Sequence, residues 1–415
     1  MTVSPRQNTR LLKLLTYLMF AMFAMTTDSV GVIIPRVIEQ FSLGMTVGGA
    51  FQYATMSGIS IAALALGFLA DQLGRKWTII AGLILFGASS ALFAVGHDFL
   101  FFVGLLFISG VGIGVFKAGA LALIGDISSS TREHAATMNT VEGFFGIGAI
   151  IGPAIVAWLL ASGAEWKWLY VIAAMLCGVL VVAASMAKYP KPPARKVDQE
   201  PRLRQTLGLL RDPFALAFGL ALMLYVAAEA AVYVWAPTYL SGYEGDLAWF
   251  ALYVVSIFFV LRAAGRFLGA WLLSRFGWSV VVALSAGGVL ACFLVSAIGP
   301  RGVGAIALPL SGLFMSVLYP TINSKGISCF PKSQHGAIAG LLLFFTCASA
   351  VLAPLAMGAL SDAMGDAKFS LYLATAFSAA LAVLAVVNVV LEPTRARLAE
   401  RDSEDYLPAE ALTER

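Results

Sequence analysis

The sequence predicts an all-α integral membrane protein with twelve transmembrane helices in two pseudo-symmetric six-helix bundles. Hydrophobic residues make up 60% of its 415 residues and charged residues only 12%, against about a quarter in soluble proteins. The apolar residues form runs of roughly 20, the length that a helix needs to cross about 30 Å of hydrocarbon. One long polar stretch divides these runs into six and six.

The twelve apolar runs, named α1 to α12 in chain order, are separated by short polar breaks. The first follows several basic residues, is long enough to span a membrane and lacks a small-residue cleavage site after a short core. We therefore expect α1 to be a retained signal anchor. The predicted helices span about 12–34, 45–70, 77–95, 99–124, 138–161, 167–187, 213–235, 248–273, 279–299, 303–329, 335–360 and 369–391.

The long polar stretch covers residues 188–212 and contains seven basic residues and four prolines. Prolines block a continuous helix and favour extended backbone. We interpret this stretch as a linker between an N-terminal bundle, residues 1–187, and a C-terminal bundle, residues 213–391. Residues 392–415 then form a tail. Short loops rich in Lys and Arg stay in the cytoplasm, so we expect the linker to be cytoplasmic.

Positive charge also predicts the orientation of the whole chain. With the N terminus inside, nineteen of the 27 Lys and Arg residues lie on the cytoplasmic side, four lie outside and four lie within helices. This asymmetry predicts a multi-pass protein of the cytoplasmic (inner) membrane with both termini cytoplasmic. The net charge of +4 follows from that topology. We expect the lipid bilayer as partner, no nucleic acid, and a monomer.

Several features recur at an offset near 201 residues, which indicates an internal repeat. Asp28 in α1 corresponds to Glu229 in α7, and Pro153 in α5 corresponds to Pro354 in α11. The loop after α2 reads GFLADQLGRK, and the loop after α8 reads AWLLSRFG, which is a weaker copy. The shared offset predicts two similar bundles joined by the linker.

The loop after α2 carries the most specific local pattern in the chain. Its glycines allow a tight turn and close helix contact. Its aspartate can accept hydrogen bonds from a neighbouring helix N-terminus or from a basic residue. We predict that this gating motif latches the two bundles on the cytoplasmic face, and that a residue of α8 extends the weaker copy. The predicted residues are Gly67, Asp71, Gly74, Arg75, Lys76 and Arg266.

This loop pattern resembles the signature of the major facilitator superfamily, and the resemblance covers the whole chain. The α10 segment FMSVLYPTINSKG, the α5 segment GIGAIIGP and the α11 end GALSDAMG are similar to the fucose-permease-like branch of sugar–proton symporters. The resemblance implies the fold of that superfamily, with α1, α4, α7 and α10 around a central cavity. Where that branch usually has an acid in α4 and an amide in α5, this chain has Lys117 and Glu142.

Ionisable residues within the apolar runs mark the predicted pathway. Each costs about 2.5–3.5 kcal/mol to place in a bilayer. At 1.5 Å per residue, Asp28 and Glu229 lie about 24 Å from the cytoplasmic edge, and Lys117 and Glu142 about 12–13 Å from it. The charges thus form an outer acidic pair and an inner Lys–Glu pair. Arg262, near mid-membrane, either binds an anion or pairs with Glu229 or another acid.

Each buried charge also has a structural explanation. Asp28 either carries a proton or binds substrate, or it makes a helix-packing hydrogen bond. Glu229 either does the same or is satisfied by Tyr225 or Tyr233. The inner Lys–Glu pair is either a permanent ion pair or one that opens when protons or substrate arrive. The four cysteines lie in apolar runs with spacing that suits neither a metal site nor a disulfide framework, so we expect no metal.

Together these features predict a proton-coupled secondary transporter, not an enzyme. It would move a small polar solute, a sugar derivative or an organic anion, by alternating access. We expect no cofactor beyond the proton as coupling ion, carried by Asp28, Glu229 or Glu142, since burial raises the pKa of a lone carboxylate. An alternative is proton-driven efflux of amphipathic compounds, which the Gly148-x-x-x-Gly152-Pro153 pattern of α5 and the many aromatic residues suggest. A third hypothesis is a receptor without turnover. The predicted substrate- and proton-binding residues are Asp28, Lys117, Asn139, Glu142, Glu229, Arg262, Tyr319 and Asn323.

Overall fold

The computed structural model describes residues 5–66, 73–127, 131–190, 208–331 and 334–405, and every regular element within these ranges is helical. Eleven of the described helices are long and apolar enough to cross a membrane. The prediction of an all-α membrane fold is therefore confirmed.

Six helices form the N-terminal half. The first, α1, has two segments that meet at Asp28 and Ser29, and the second, α2, follows a single turn of helix, Met45–Gly48. The observed bounds are Pro5–Thr27 and Val30–Phe41 (α1), Ala50–Ala65 (α2), Gly74–Ala91 (α3), Phe99–Ile127 (α4), Thr131–Ala161 (α5) and Trp168–Met186 (α6).

Six more helices form the C-terminal half, and a short helix follows in the tail. The seventh, α7, continues through a π-turn into a last helical turn, Ala236–Tyr239. The observed bounds are Pro213–Ala230 with the π-turn Ala231–Trp235 (α7), Val254–Arg275 (α8), Trp278–Ile298 (α9), Arg301–Ser328 (α10), His335–Met364 (α11), Lys368–Leu391 (α12) and Arg395–Asp405 (α13).

The predicted span that is not among the eleven is α2. Its described helix, Ala50–Ala65, has 16 residues, and residues 67–72 lie outside the described ranges. Part of the linker, residues 191–207, and the end of the tail, residues 406–415, lie outside them too.

The two halves pack their helices in the same pattern. In the N-terminal half α1 packs on α5, α2 and α3 pack on α4, and α3 packs on α6. In the C-terminal half α7 packs on α11, α8 and α9 pack on α10, and α9 packs on α12. This correspondence matches the repeat in the sequence, while the domain boundaries at residues 187 and 213 stay a prediction.

Small residues set the close packing of α5 on α1. A Cβ atom on Gly148 would lie 2.0 Å from the Ala21 carbonyl oxygen, and one on Gly152 would lie 2.0 Å from the Met25 carbonyl oxygen. No side chain fits at either position, so the glycines bring the two backbones into direct contact.

On the side of the membrane that carries the linker, called the linker side below, the described polar contacts of the helix ends join elements of the same half. The Asn8 side-chain amide donates to the Lys188 carbonyl at 2.6 Å within the N-terminal half. The Arg397 guanidinium donates to the Asp212 carboxylate at 2.8 Å within the C-terminal half. These are the polar ties between α1, α6, α7 and α13 that the described residues make there.

On the opposite side, called the far side below, the described contacts cross from one half to the other. The Tyr53 hydroxyl of α2 donates to the Pro354 carbonyl of α11 at 3.2 Å, which joins the two halves. The indole of Trp235, in the same half as Pro354, donates to the same oxygen at 3.0 Å. Nearer the linker side, α2 and α11 separate around a cleft of about 220 Å³ between Ser57 and Cys347. The halves are thus closed on the far side.

Candidate functional site

The two acids of the outer tier lie where their helices depart from regular α geometry. Asp28 occupies the break between the two segments of α1, where its carboxylate accepts a 2.9 Å hydrogen bond from the Thr27 hydroxyl. Glu229 lies two residues before the π-turn Ala231–Trp235 of α7. Helix breaks and π-turns in transmembrane helices accompany binding sites between repeats.

Glu229 is held by two partners. Its carboxylate lies 2.5 Å from the Arg262 guanidinium of α8, and the same oxygen accepts a 3.0 Å hydrogen bond from the Tyr225 hydroxyl. Side-chain exposure is 10% for Glu229 and 22% for Arg262, so the pair is largely withdrawn from water. Of the two hypotheses for Arg262, the structure therefore shows the ion pair with Glu229, and it identifies Tyr225 as the neighbouring donor.

Aromatic rings connect this ion pair to α10. The ring of Tyr319 lies 5.8 Å from that of Tyr225, centroid to centroid. The Arg262 guanidinium lies 5.9 Å from the centroid of the Phe259 ring. Asn323 follows Tyr319 by one helical turn and is partly buried. The α10 residues predicted to line the cavity thus adjoin the Glu229 cluster through Tyr319.

The predicted charges from both halves act on one another. The Arg262 guanidinium interacts electrostatically with Asp28 and Glu142 as well as with Glu229, and Asp28 interacts with Lys117. Glu142 is an exposed residue of α5 in the N-terminal half. Its charge nevertheless acts on Arg262 of the C-terminal half. These five groups therefore surround one region between the halves, with three acids against two bases.

The predicted inner ion pair does not form. Lys117 and Glu142 share no ion pair among the described residues, and the Lys117 ammonium lies 5.5 Å from the centroid of the Phe145 ring. Phe145 follows Glu142 by three residues, so it occupies the neighbouring position on the same face of α5. A permanent ion pair is therefore not observed, because that face presents a ring to Lys117 and leaves Glu142 exposed, while a pair that opens with protons or substrate stays a prediction.

Four of the six predicted gating residues lie in the described part of the chain, three of them at the start of α3. Gly74 has φ of +80°, a left-handed conformation that glycine adopts without strain. Arg75 forms a 2.8 Å ion pair with Asp126 at the end of α4, and Lys76 donates a 2.6 Å hydrogen bond to the Ser185 carbonyl. These described contacts of Arg75 and Lys76 lie within the N-terminal half, and the latch between the two bundles stays a prediction.

The structure describes no side chain for three of the predicted residues. Gly67 and Asp71 fall in residues 67–72, and the side chain of Asn139 is not among those described. Arg266 of α8 is described and exposed. The roles of these residues remain predictions.

Sequence reasoning missed one residue that joins the two halves. Asp362 lies at the far-side end of α11, and its carboxylate accepts backbone hydrogen bonds from Met45 and Thr46 before α2. In the sequence, the segment GALSDAMG, residues 358–365, indicated only a similarity to the fucose-permease-like branch. An acidic residue at the end of an otherwise apolar helix was the available signal.

Comparisons with known proteins agree with this architecture. The chain is 27% identical over 382 residues to the L-fucose-proton symporter of Escherichia coli (strain K12), covering 84% of this chain and 86% of that protein. It is 24% identical over 316 residues to a TsgA homolog of Yersinia pestis (strain Pestoides F), covering 75% and 78%.

Solved structures show the same fold. The transporter FucP in its outward conformation aligns with a TM-score of 0.64 and 24% identity, covering 91% of this chain and 99% of FucP. The nucleoside transporter NupG aligns with a TM-score of 0.71 and 15% identity, covering 93% and 99%.

The family profile decides the assignment. The profile of the Major Facilitator Superfamily matches residues 16–354, which include both of the helix breaks, the ion pair and the gating motif. The protein is a transporter and not an enzyme, and the chain belongs to the Major Facilitator Superfamily.

Proposed function

We propose that the chain is a proton-coupled symporter that moves a small polar solute across the inner membrane by alternating access. The linker side is the cytoplasmic side, so both termini are cytoplasmic and the far-side closure describes an inward-facing state. The protein works as a monomer, because each chain contains both halves and the site between them.

The observation that carries this proposal is that Glu229 has a cationic partner whereas Asp28 has none among the described residues. Glu229 is neutralised by Arg262 and hydrogen-bonded by Tyr225. Asp28 lies at a helix break and its side chain bonds only to the adjacent Thr27 among the described residues. A carboxylate without a cationic partner in a low-dielectric site exchanges a proton at moderate pH more readily than one in an ion pair. Asp28 is therefore the proton carrier.

The substrate class follows from the groups left available. Lys117 has no ion-pair partner among the described residues and lies beside the Phe145 ring, and in the C-terminal half the Tyr319 ring lies beside that of Tyr225. A cation beside one ring, together with a second aromatic cluster, suits a sugar derivative or an organic anion, because the cation can contact its polar groups and the rings its faces. The similarity to an L-fucose-proton symporter supports the same class.

Efflux of amphipathic compounds has less support. The Gly148 and Gly152 pattern that suggested it serves the close packing of α5 on α1. The first curated relative named above is a symporter.

Uptake into proteoliposomes tests the proposal. We expect accumulation of a sugar or sugar acid from a panel when the outside is acidic, and collapse of that accumulation with a protonophore. Asp28→Asn should abolish gradient-driven accumulation and retain exchange of labelled for unlabelled solute, since exchange needs no net proton movement.

The matched control is Glu39→Gln, which removes an exposed acid of α1 that pairs with Arg36. It should accumulate solute as the unaltered protein does. Gradient-independent accumulation, or full accumulation by Asp28→Asn, would remove the proton-symport proposal.

A further inference from the structure

A positively charged pocket lies on the linker side of the C-terminal half, apart from the site between the halves. It has a volume of about 660 Å³ and is enclosed by α8, α10 and the turn between α8 and α9. Arg266 and Lys325 line it, together with the hydroxyl-bearing residues Ser316, Thr321 and Ser324. Two cations and three hydroxyls make a donor-rich lining.

Among the described residues, the cations of this pocket have no counter-ion. Within the described ranges, neither Arg266 nor Lys325 makes a side-chain hydrogen bond or ion pair. By contrast, Arg75 and Arg397, which also lie on the linker side, are paired with carboxylates. Two unpaired positive charges in one pocket repel each other, and a bound anion would offset that repulsion.

An apolar groove adjoins the charged pocket. It has a volume of about 420 Å³ and runs between α7, α9 and α12, where Phe214, Ala217, Val282 and Leu384 line it. The side chain of Trp278, the first residue of α9, lines both the groove and the charged pocket. The two spaces are therefore neighbours that share one wall.

We propose that the pocket and the groove together bind one anionic phospholipid. The phosphate lies between Arg266 and Lys325 and accepts hydrogen bonds from the pocket hydroxyls. One acyl chain passes Trp278 and fills the groove. Basic pockets between transmembrane helices and tryptophan at the membrane interface are the features by which such lipids are held.

The groove selects a lipid over a soluble anion. A free phosphate or a phosphorylated solute would satisfy the two cations but leave the apolar groove uncovered. A phospholipid removes apolar surface from water in the groove and neutralises charge in the pocket at the same time. The lipid site is independent of the proposed proton coupling, because Asp28 lines neither the pocket nor the groove.

Thermal stabilisation of the purified full chain by added lipid measures binding, since a ligand of the folded state raises apparent stability. We expect phosphatidylglycerol to stabilise the protein more than phosphatidylcholine. The double variant Arg266→Gln/Lys325→Gln should weaken the apparent affinity for phosphatidylglycerol about thirtyfold, because each surface cation contributes about a factor of five. Arg275→Gln, which removes a linker-side charge stacked on Trp271, is the matched control and should leave that affinity unchanged.

A second variant tests the groove without altering charge. Ala217 is exposed, so Ala217→Trp fills the groove with little cost to folding, and it should weaken phosphatidylglycerol binding. Leu220→Trp, at a position of the same helix that is 47% exposed and outside the groove, should not. Native mass spectrometry should show one retained anionic lipid that both sets of variants lose.

Two results would overturn the proposal. One is lipid affinity unchanged in the double variant. The other is stabilisation by inorganic phosphate that equals that by phosphatidylglycerol and is insensitive to Ala217→Trp, which would identify a site for soluble anions.

Discussion

Asp362 and Met45, 317 residues apart, are joined by a hydrogen bond of 2.6 Å across the far side of the molecule. The second carboxylate oxygen of Asp362 accepts from the backbone N–H of Thr46 at 2.7 Å. These N–H groups begin the helical turn before α2, where backbone donors have no intrahelical partner and the helix dipole favours a negative charge. The contact therefore closes the two halves on the far side.

Removing this carboxylate should open the far side. In Asp362→Ala both acceptors are lost while the fold within each half is untouched. Charge-assisted hydrogen bonds at a partly exposed position are worth about 1–2 kcal/mol, so we expect the ratio of far-side-open to far-side-closed molecules to rise about fivefold to thirtyfold. Spin labels at the exposed residues Ser162 and Ser241, one in each half, would report a longer distance.

Asp366 provides the matched control for this experiment. It lies four residues further along and accepts a 2.9 Å hydrogen bond from the backbone N–H of Lys368 within its own half. Asp366→Ala should leave the label distance unchanged. An equal shift in both variants would show that Asp362 has no special part in closure.

Far-side closure also depends on a glycine. A Cβ atom on Gly31 would lie 1.7 Å from the carbonyl oxygen of Tyr233, so α1 and α7 approach backbone to backbone at this point. Gly31→Ala should prevent that approach. We expect loss of transport with retained folding, and the same lengthening of the Ser162–Ser241 distance. Gly104→Ala, where nothing lies within 4 Å, should transport normally.

The sequence predicted the fold better than the pairings within the site. Twelve apolar runs and an offset of 201 residues are properties of the chain alone, and they sufficed for the helices and the repeat. For Arg262 two roles stayed open, binding an anion or pairing with Glu229 or another acid, because its partner depends on how α7 and α8 rotate against each other.

The sequence could not predict contacts between segments that are distant along the chain. The expected pairing of Lys117 with Glu142 rested on equal depth, and depth does not determine which face of α5 a neighbour meets. The closure by Asp362 requires the docking of α11 against a turn before α2. Hydropathy carries no information about that docking.

The ion pair of Glu229 and Arg262 should stabilise the C-terminal half as a unit. Glu229→Gln or Arg262→Gln alone leaves one buried charge uncompensated and should lower the free energy of unfolding by about 3 kcal/mol. The double variant should recover part of that loss, which a double-mutant cycle of thermal unfolding would measure as coupling between the two sites.

An exposed pair serves as the control for that cycle. Arg36 and Glu39 form an ion pair in which the side chains are 54% and 70% exposed, so their coupling should be about 0–1 kcal/mol. Additive losses at Glu229 and Arg262, with no more coupling than at the exposed pair, would mean that the contact contributes little to folding.

Docking of the tail helix α13 should be insensitive to pH across the physiological range. Arg397 donates to Asp212 at 2.8 Å and its guanidinium lies 4.5 Å from the centroid of the Phe214 ring. Burial alone would raise the pKa of Asp212, but the hydrogen bonds from Arg397 and from the backbone of Ala215 and Phe214 outweigh it and lower the pKa below its ordinary value of 3.8.

A carboxylate with a lowered pKa contributes stability that is fully present above its unfolded pKa and is lost as the pH falls through its folded pKa. Hydrogen exchange of Arg395–Asp405 should therefore stay constant from about pH 8 to 5, once corrected for intrinsic rates, and accelerate only below about pH 4. Asp212→Asn should accelerate it at neutral pH, because the amide cannot pair with Arg397, whereas Glu392→Gln, which removes the exposed partner of Arg395, should not. Loosening of α13 between pH 7 and 5 in the unaltered protein would contradict this assignment and point to a different titrating group.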